Sequence, residues 1–272
     1  MIDNPRSPRV RAAAKLSKRA QRAETGLFLV EGPQAVDEAV RWRPELVREI
    51  FVTAAAEDRA SALIRDARAA GIRIEQVTGP VLEAIADTVT PQGMVAVCAT
   101  FPSSLDEVLA ARPRLVAVLE EVRDPGNAGT IIRVADAAGA DAVILTGTSV
   151  DPFNPKAVRA TTGSLFHVPV VVGVELQPTL ERLRAEGARI LAADVSGGDL
   201  LAERAAGGLD APTAWLFGNE ARGLTPEQLA LADAAVVVPI YGRAESLNLA
   251  TAAAVCLYES AFAQRRAGVS SV

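Results

Sequence analysis

Between Arg114 and Ile240 the chain carries six apolar runs of strand length: Arg114–Arg123, Asp141–Gly147, Val168–Val174, Arg189–Ala193, Thr213–Gly218 and Ala234–Ile240. Their side chains are almost continuously apolar rather than alternating, so both faces of each strand must be buried. That pattern belongs to a parallel sheet covered by helices on both sides. The intervening segments have helical spacing, and a last helix is expected from Leu247 to Arg265. An α/β fold follows, and in such sheets ligands sit where loops leave the carboxyl ends of the strands.

The front of the chain predicts a smaller α/β unit. Strands are expected at 27–32, 47–52, 73–77 and 93–99, and helices at 34–42, 56–70 and 81–87. Gly32 ends the first strand and Gly71 stops the second helix. The stretch Ala99-Thr-Phe-Pro-Ser-Ser104 has turn chemistry and marks a linker. Two domains are therefore expected within the 272 residues, at 1–100 and 108–272.

Charge bears on partners. The formal net charge is −5, and an acidic total argues against a nucleic-acid partner. The total hides an asymmetry. Residues 1–22 hold seven cations (Arg6, Arg9, Arg11, Lys15, Lys18, Arg19, Arg22) against Asp3, a local +6 that leaves −11 for the rest. A basic first helix is expected there, either a solvated face or an arm that meets phosphates.

Other classes are excluded by what is scarce. Cys98 and Cys256 stand in separate apolar runs and suit buried small hydrophobes, so no disulfide framework exists. His167 is the sole histidine, which removes imidazole–thiolate metal clusters and a Ser-His-Asp triad. In the run SLFHVPVVVG its expected role is structural, and no metal is expected. The N-terminus has no secretory apolar core, and no uninterrupted apolar run approaches the roughly 18 residues of a membrane span. A cytoplasmic protein is expected.

Three strand-to-helix loops concentrate polar residues and glycine. Asp124-Pro-Gly-Asn-Ala-Gly-Thr-Ile-Ile-Arg133 lets backbone approach a ligand at a helix N-terminus, or is a glycine-rich turn capped by Asn127. It matches neither GxGxxG nor a Walker loop. Leu216-Phe-Gly-Asn-Glu-Ala-Arg-Gly-Leu224 puts amide, carboxylate and guanidinium within five residues, where Glu220 needs a partner such as Arg222 or a ligand. Val238-Pro-Ile-Tyr-Gly-Arg-Ala-Glu-Ser-Leu-Asn-Leu-Ala-Thr251 brings Ser246 and Asn248 to the mouth of an apolar helix, as caps or as site groups.

Taken in order, N-x-G-x-x-x-R, F-G-N-E-x-x-G-L and V-P-I-x-G-x-x-E-S-L-N-L resemble the SpoU/TrmH family of RNA ribose 2′-O-methyltransferases over about residues 110–265. The basic opening and the FLVEG segment resemble the ribosomal-protein-like RNA-binding domain that precedes the catalytic domain in many members, including thiostrepton-resistance-type enzymes. The resemblance implies S-adenosylmethionine as methyl donor without a metal, a SPOUT-type parallel-sheet domain with a trefoil knot at its carboxyl end, and a homodimer. It implies cofactor contacts at Gly218, Asn219, Val238, Ile240 and Leu247, with Ala193 close by. It implies Asn127, Arg133, Glu220, Ser246 and Asn248 at the reacting centre. RNA contacts are expected at Arg9, Arg11, Lys15, Lys18 and Arg19. Arg159 lines the RNA side of the cleft in this reading, or else lies on a solvated helix face.

Methyl transfer to a ribose hydroxyl is an in-line displacement, so geometry is much of the task. The hydroxyl must lose a proton, and the family proposal gives that role to Arg133. A guanidinium stays charged up to a pKa above about 12, so stabilising a developing alkoxide or holding a phosphate suits it as well. The front domain favours ribosomal over transfer RNA as substrate. A non-catalytic RNA-binding protein on the same scaffold would not require Asn127, Arg133, Glu220 and Asn248 together. An ordinary α/β dehydrogenase lacks its GxGxxG loop here.

Overall fold

The structure, a computed structural model, describes residues 1–269, with side chains to Arg266. In chain order the elements are α1 Pro8–Ala14, α2 Arg19–Thr25, β1 Leu27–Glu31, α3 Pro33–Trp42, β2 Val47–Val52, α4 Ala54–Arg59 and α5 Ser61–Ala69. Then come β3 Arg73–Gln76, α6 Gly79–Ile85, β4 Met94–Ala99, α7 Leu105–Ala110, β5 Leu115–Glu120, α8 Pro125–Ala138, β6 Ala142–Thr146 and α9 Pro155–Thr161. The remainder is β7 Val170–Val174, α10 Leu176–Ala185, β8 Arg189–Asp199, α11 Leu200–Ala205, β9 Thr213–Phe217, α12 Pro226–Leu229, β10 Ala234–Val237 and α13 Leu249–Val269. Two compact units result: residues 1–101 with 151–167, and residues 102–150 with 168 onward.

The first unit is built on a four-stranded sheet in the order β1-β4-β2-β3, antiparallel except where β2 pairs with β3. Val10, Ala13 and Leu16 of the opening segment pack with Leu29, Phe51, Val81, Leu82 and Ile85 in its core. The basic opening is not one helix: a 3-10 turn at Lys15–Ser17 separates α1 from α2. The expected helix at 56–70 likewise breaks at Ala60, giving α4 and α5.

Segment 151–167 joins this unit for physical reasons that its position in the chain conceals. Phe153 and Phe166 enter an aromatic cluster with Phe28 and Phe101, with centroid separations between 4.9 and 6.4 Å. Arg22, 3% exposed, pairs with Asp151 at 2.7 Å and donates from Nη1 to the carbonyls of Leu16 and Ser17. Arg159 reaches Glu31 at 3.2 Å and Asp87 at 3.0 Å. His167 holds Glu38 through Nε2 at 3.1 Å and meets the Trp42 ring edge-on, which makes it a packing residue.

The second unit carries a six-stranded sheet in the order β10-β8-β9-β5-β6-β7, with parallel pairing between every two neighbours. Alternate residues such as Val116, Val118, Ile144, Ile190 and Leu216 pack against α7 and α10. The pleat turns their neighbours to the other face, where Trp215 donates to Ser260 of α13 at 2.9 Å. Burial on both faces explains the continuous apolar runs of β5, β6 and β9, whereas the edge strands β7 and β10, expected to be buried likewise, are only partly covered because each has a neighbour on one side alone. Two strands depart from expectation, and β8 does so most: it runs on to Asp199, and its ladder with β10 jumps from Ala192–Ala235 to Gly198–Val236. Residues 193–197 are thus excluded from that pairing. Gly197 lies so close to β10 that a Cβ would sit 2.3 Å from backbone atoms of Ala235 and Val236. β10 itself ends at Val237, three residues short of the expected Ile240.

Candidate active site

The carboxyl ends of β8, β9 and β5 lie side by side, with β10 at the edge, and the three polar loops leave from β5, β9 and β10. After β5 the chain turns into α8, with Pro125 in the first turn and the Asp124 side chain accepting from the Asn127 amide at 2.8 Å. Asp124, not Asn127, is therefore the N-cap. Capping by Asp124 frees the Asn127 side chain for longer-range bonds.

Those bonds join all three loops. The Asn127 Nδ2 donates to Glu220 Oε1 at 3.3 Å, and its Oδ1 accepts from Asn248 Nδ2 at 3.0 Å. Asn248 Oδ1 meanwhile caps α13 by accepting from the amides of Ala250 and Thr251. Asn248 is thus both a cap and a member of the site. Glu220 takes two further donors, the Asp124 amide at 2.9 Å and the Arg123 amide at 3.1 Å. Burial alone would push its carboxyl pKa up, but these backbone and amide donors outweigh it and hold the group below the ordinary carboxylate range. Its partners are N–H groups of the β5–α8 turn, where the sequence left open Arg222 or a ligand, and Arg222 pairs with Glu121 instead. Arg133 lies on the exposed face of α8, and Ser246 is exposed just before α13.

The remaining expected residues lie on the loops after β9 and β10 or, for Ala193, within β8. Gly218 is buried at the end of β9, and a Cβ there would lie 2.6 Å from the backbone of Gly223. Asn219 donates to the Glu121 carbonyl at 2.8 Å and closes the turn by accepting the amides of Ala221 and Arg222. Val238 and Ile240 are half-buried, Ala193 likewise, and Leu247 is 37% exposed. Among the described residues, segment 238–247 makes no backbone hydrogen bond outside regular structure. Half-buried apolar side chains beside uncommitted backbone donors and acceptors fit a ligand with an apolar body and a polar edge, such as an adenosyl group.

Two features escape a reading of the sequence. Glu120, 7% exposed, accepts from Thr146 Oγ1 and from Gln228 at 2.9 Å, tying the ends of β5 and β6 to α12. Glu121 pairs with Arg222 and accepts from Thr148 Oγ1 at 3.2 Å. In sequence both glutamates look like the polar end of a strand.

Residues 114–258 match the SpoU rRNA methylase family, which is more than half of the chain. The chain belongs to that family. Residues 29–104 match the substrate-binding domain of RNA 2′-O ribose methyltransferases, so this SpoU-family chain is an RNA 2′-O-ribose methyltransferase with both parts present. The 23S rRNA (guanosine(2553)-2′-O)-methyltransferase RlmP of Bacillus subtilis is 35% identical over 94% of this chain and 97% of its own length. The 23S rRNA (uridine(2479)-2′-O)-methyltransferase of Streptomyces viridochromogenes is 34% identical over 91% of this chain and 86% of its own. Among solved structures, an AdoMet-bound rRNA methyltransferase from Sinorhizobium meliloti superposes with a TM-score of 0.80 at 31% identity, covering 95% of this chain and 96% of that one. Among the described residues no helix is long and apolar enough to cross a membrane, and no cluster of ligating side chains could hold a metal ion.

Proposed function

We propose that this SpoU-family enzyme transfers a methyl group from S-adenosylmethionine to a ribose 2′-hydroxyl of 23S ribosomal RNA in the cytoplasm. The observation that carries the reading is the Asn248–Asn127–Glu220 chain, which locks three loops together at the carboxyl ends of the sheet. Relatives named for 23S rRNA match over both units, which favours ribosomal over transfer RNA. They are named for a guanosine and a uridine respectively, so the choice of base is set by contacts particular to each enzyme.

Bound at Gly218, Asn219, Val238, Ile240 and Leu247, with Ala193 beside them, S-adenosylmethionine supplies an electrophilic methyl on a sulfonium. This chain's own residues have to aim the hydroxyl along the line of displacement. Glu220 spends its lone pairs on three N–H donors, so it orients Asn127 and is a weak base. Asn127 and Ser246 position the nucleotide. Arg133 presents a permanent cation from α8, suited to a neighbouring phosphate or to negative charge developing on the ribose oxygen.

In the front unit Arg11, Lys15, Lys18 and Arg19 are exposed or half-exposed and form the phosphate-facing set. Arg9 is already paired with Glu49 and Glu75, and Arg159 with Glu31 and Asp87, so both shape the surface that RNA meets. Tyr258 and Phe262 stand exposed on α13 with ring centroids 5.6 Å apart. A second copy of the chain covers that face in a homodimer, and the carboxyl-terminal segment closes the family's trefoil knot.

The test is to incubate the protein with labelled S-adenosylmethionine and separately with 23S, 16S and transfer RNA, then map the modified nucleotide. Label in a single 23S ribose is expected. Cofactor binding without transfer to any RNA overturns the reading in favour of a binding protein. Arg133→Lys should keep cofactor affinity and lose most turnover; near-normal turnover removes Arg133 from the mechanism.

A further inference from the structure

Among the described residues, three non-glycine residues have left-handed backbone: Arg112 and Thr162 at φ 53°, and Glu121 at φ 51°. The first two follow helix ends, where a left-handed residue is the ordinary exit. Glu121 follows a strand. A side chain with a Cβ is unfavourable in this conformation, and such residues persist where their surroundings over-determine them and where the position serves the site. The surroundings here do so. The Val122 amide is held by Ser149 Oγ at 3.1 Å, and the Val150 amide by the Val122 carbonyl at 2.9 Å. Gly147, itself left-handed at φ 59°, clears the space: a Cβ there would lie 3.0 Å from Glu121 Cγ.

From this backbone Glu121 reaches the turn after β9 twice. Its carbonyl accepts from Asn219 Nδ2 at 2.8 Å, and its carboxylate is in ion-pair contact with Arg222. Oε2 is buried and has no aligned hydrogen bond, so the Arg222 guanidinium against it, with Arg123 Nη2 3.9 Å from Oε1, offsets the carboxylate charge. The turn reaches back in the opposite direction, with Glu220 gripping the amides of Arg123 and Asp124. Two glutamates thus clasp each other's loops. Glu121 holds the first and last polar residues of the Asn219–Arg222 turn, and Glu220, between them, holds the start of the β5–α8 turn.

We propose that Glu121 is a positioning residue for methyl transfer, fixing the Asn219–Arg222 turn so that Glu220 and Asn127 keep their alignment at the reacting centre. This rests on the methyltransferase reading of the site, and it concerns a residue that touches neither substrate nor cofactor in that reading.

The experiment compares Glu121→Gly, Glu121→Gln, Arg222→Ala and the Glu121→Gln/Arg222→Ala double variant. Glu121→Gly relieves the left-handed backbone, so its melting temperature should equal or exceed that of the parent. Its kcat should nevertheless fall by about 10²-fold, the scale of an ångström-size misplacement, with KM for RNA within twofold. The double variant should be no slower than the slower single one, because both remove the same ion pair. A second readout needs no turnover: ¹³C NMR of the Glu220 carboxyl should show it titrating at a higher pH in Glu121→Gly, as the turn releases the amides of Arg123 and Asp124. If Glu121→Gly keeps kcat within twofold and the Glu220 titration is unmoved, Glu121 is only a backbone oddity. If the parent transfers no methyl to any RNA, the functional reading fails, and the Glu220 titration still decides the positioning role.

Discussion

Removing the Glu220 side chain tests the site at its centre, and the structure supplies the magnitude. Three donors converge on the carboxylate: the amides of Asp124 and Arg123 at 2.9 and 3.1 Å and Asn127 Nδ2 at 3.3 Å. A hydrogen bond to a charged group is worth about 1.5–3 kcal/mol, and solvent access at this position screens each to below about 1 kcal/mol. Glu220→Ala should therefore cost about 2 kcal/mol. For a chain of this size that is roughly 4–8 °C in melting temperature. If the same energy aligns the transition state, it is about 30-fold in kcat. Glu220→Gln should be milder. Its remaining oxygen serves Asp124 and Asn127, which share Oε1, and only the Arg123 donor is left facing an NH₂. The pH dependence has a definite sign. The folded carboxyl titrates below the unfolded one, so its contribution is complete above the ordinary carboxylate range and is lost as pH falls through the lowered folded value. Glu220→Gln should flatten that acid limb. Calorimetric melts at pH 3–8 and single-turnover methylation of 23S RNA are the assays. A Glu220→Ala protein within 2 °C of the parent and within about twofold in rate would refute the reasoning.

Other outcomes follow from the same geometry. Arg22→Ala leaves Asp151 without its cation and the carbonyls of Leu16 and Ser17 without the guanidinium donor in the first unit, and should cost about 3–5 kcal/mol in urea unfolding. Glutamine at Arg11, Lys15, Lys18 and Arg19 together should weaken RNA binding and lower the log–log salt slope by about 0.7–0.9 for each phosphate no longer neutralised, with cofactor affinity unchanged; an unchanged slope assigns these cations to a solvated face. Burial pushes both cysteine thiols up, that of Cys256 to about 12, so iodoacetamide at pH 8 should label neither until the protein unfolds.

Sequence pattern reaches the strands because burial on both faces writes itself locally as an apolar run. It does not reach the strand order, since β9 pairs with β5 from far back in the chain and β10 pairs with β8 rather than with β9, the strand before it. The extension of β8 is hidden because Asp194, Ser196, Gly197 and Gly198 look like a loop. Asn127 and Glu220 are 93 residues apart, and Asn127 and Asn248 121 apart. Their meeting is legible only through the family resemblance. Asn127 reads as a cap in sequence, yet Asp124, three residues earlier, is an equally good cap and has the proline after it. Glu121 leaves no mark, because a left-handed backbone at a glutamate has no signature in composition or period.

The membership of residues 151–167 in the first unit has a practical consequence for anyone building chimeras. The polypeptide passes from one unit to the other at three places, after Phe101, after Val150 and after His167. A graft cut only at the Phe101–Pro102 junction would strand Phe153 and Phe166 without Phe28, and Asp151 without Arg22. Moving the first unit intact therefore calls for moving both pieces together, the front hundred residues and the seventeen-residue insert between β6 and β7.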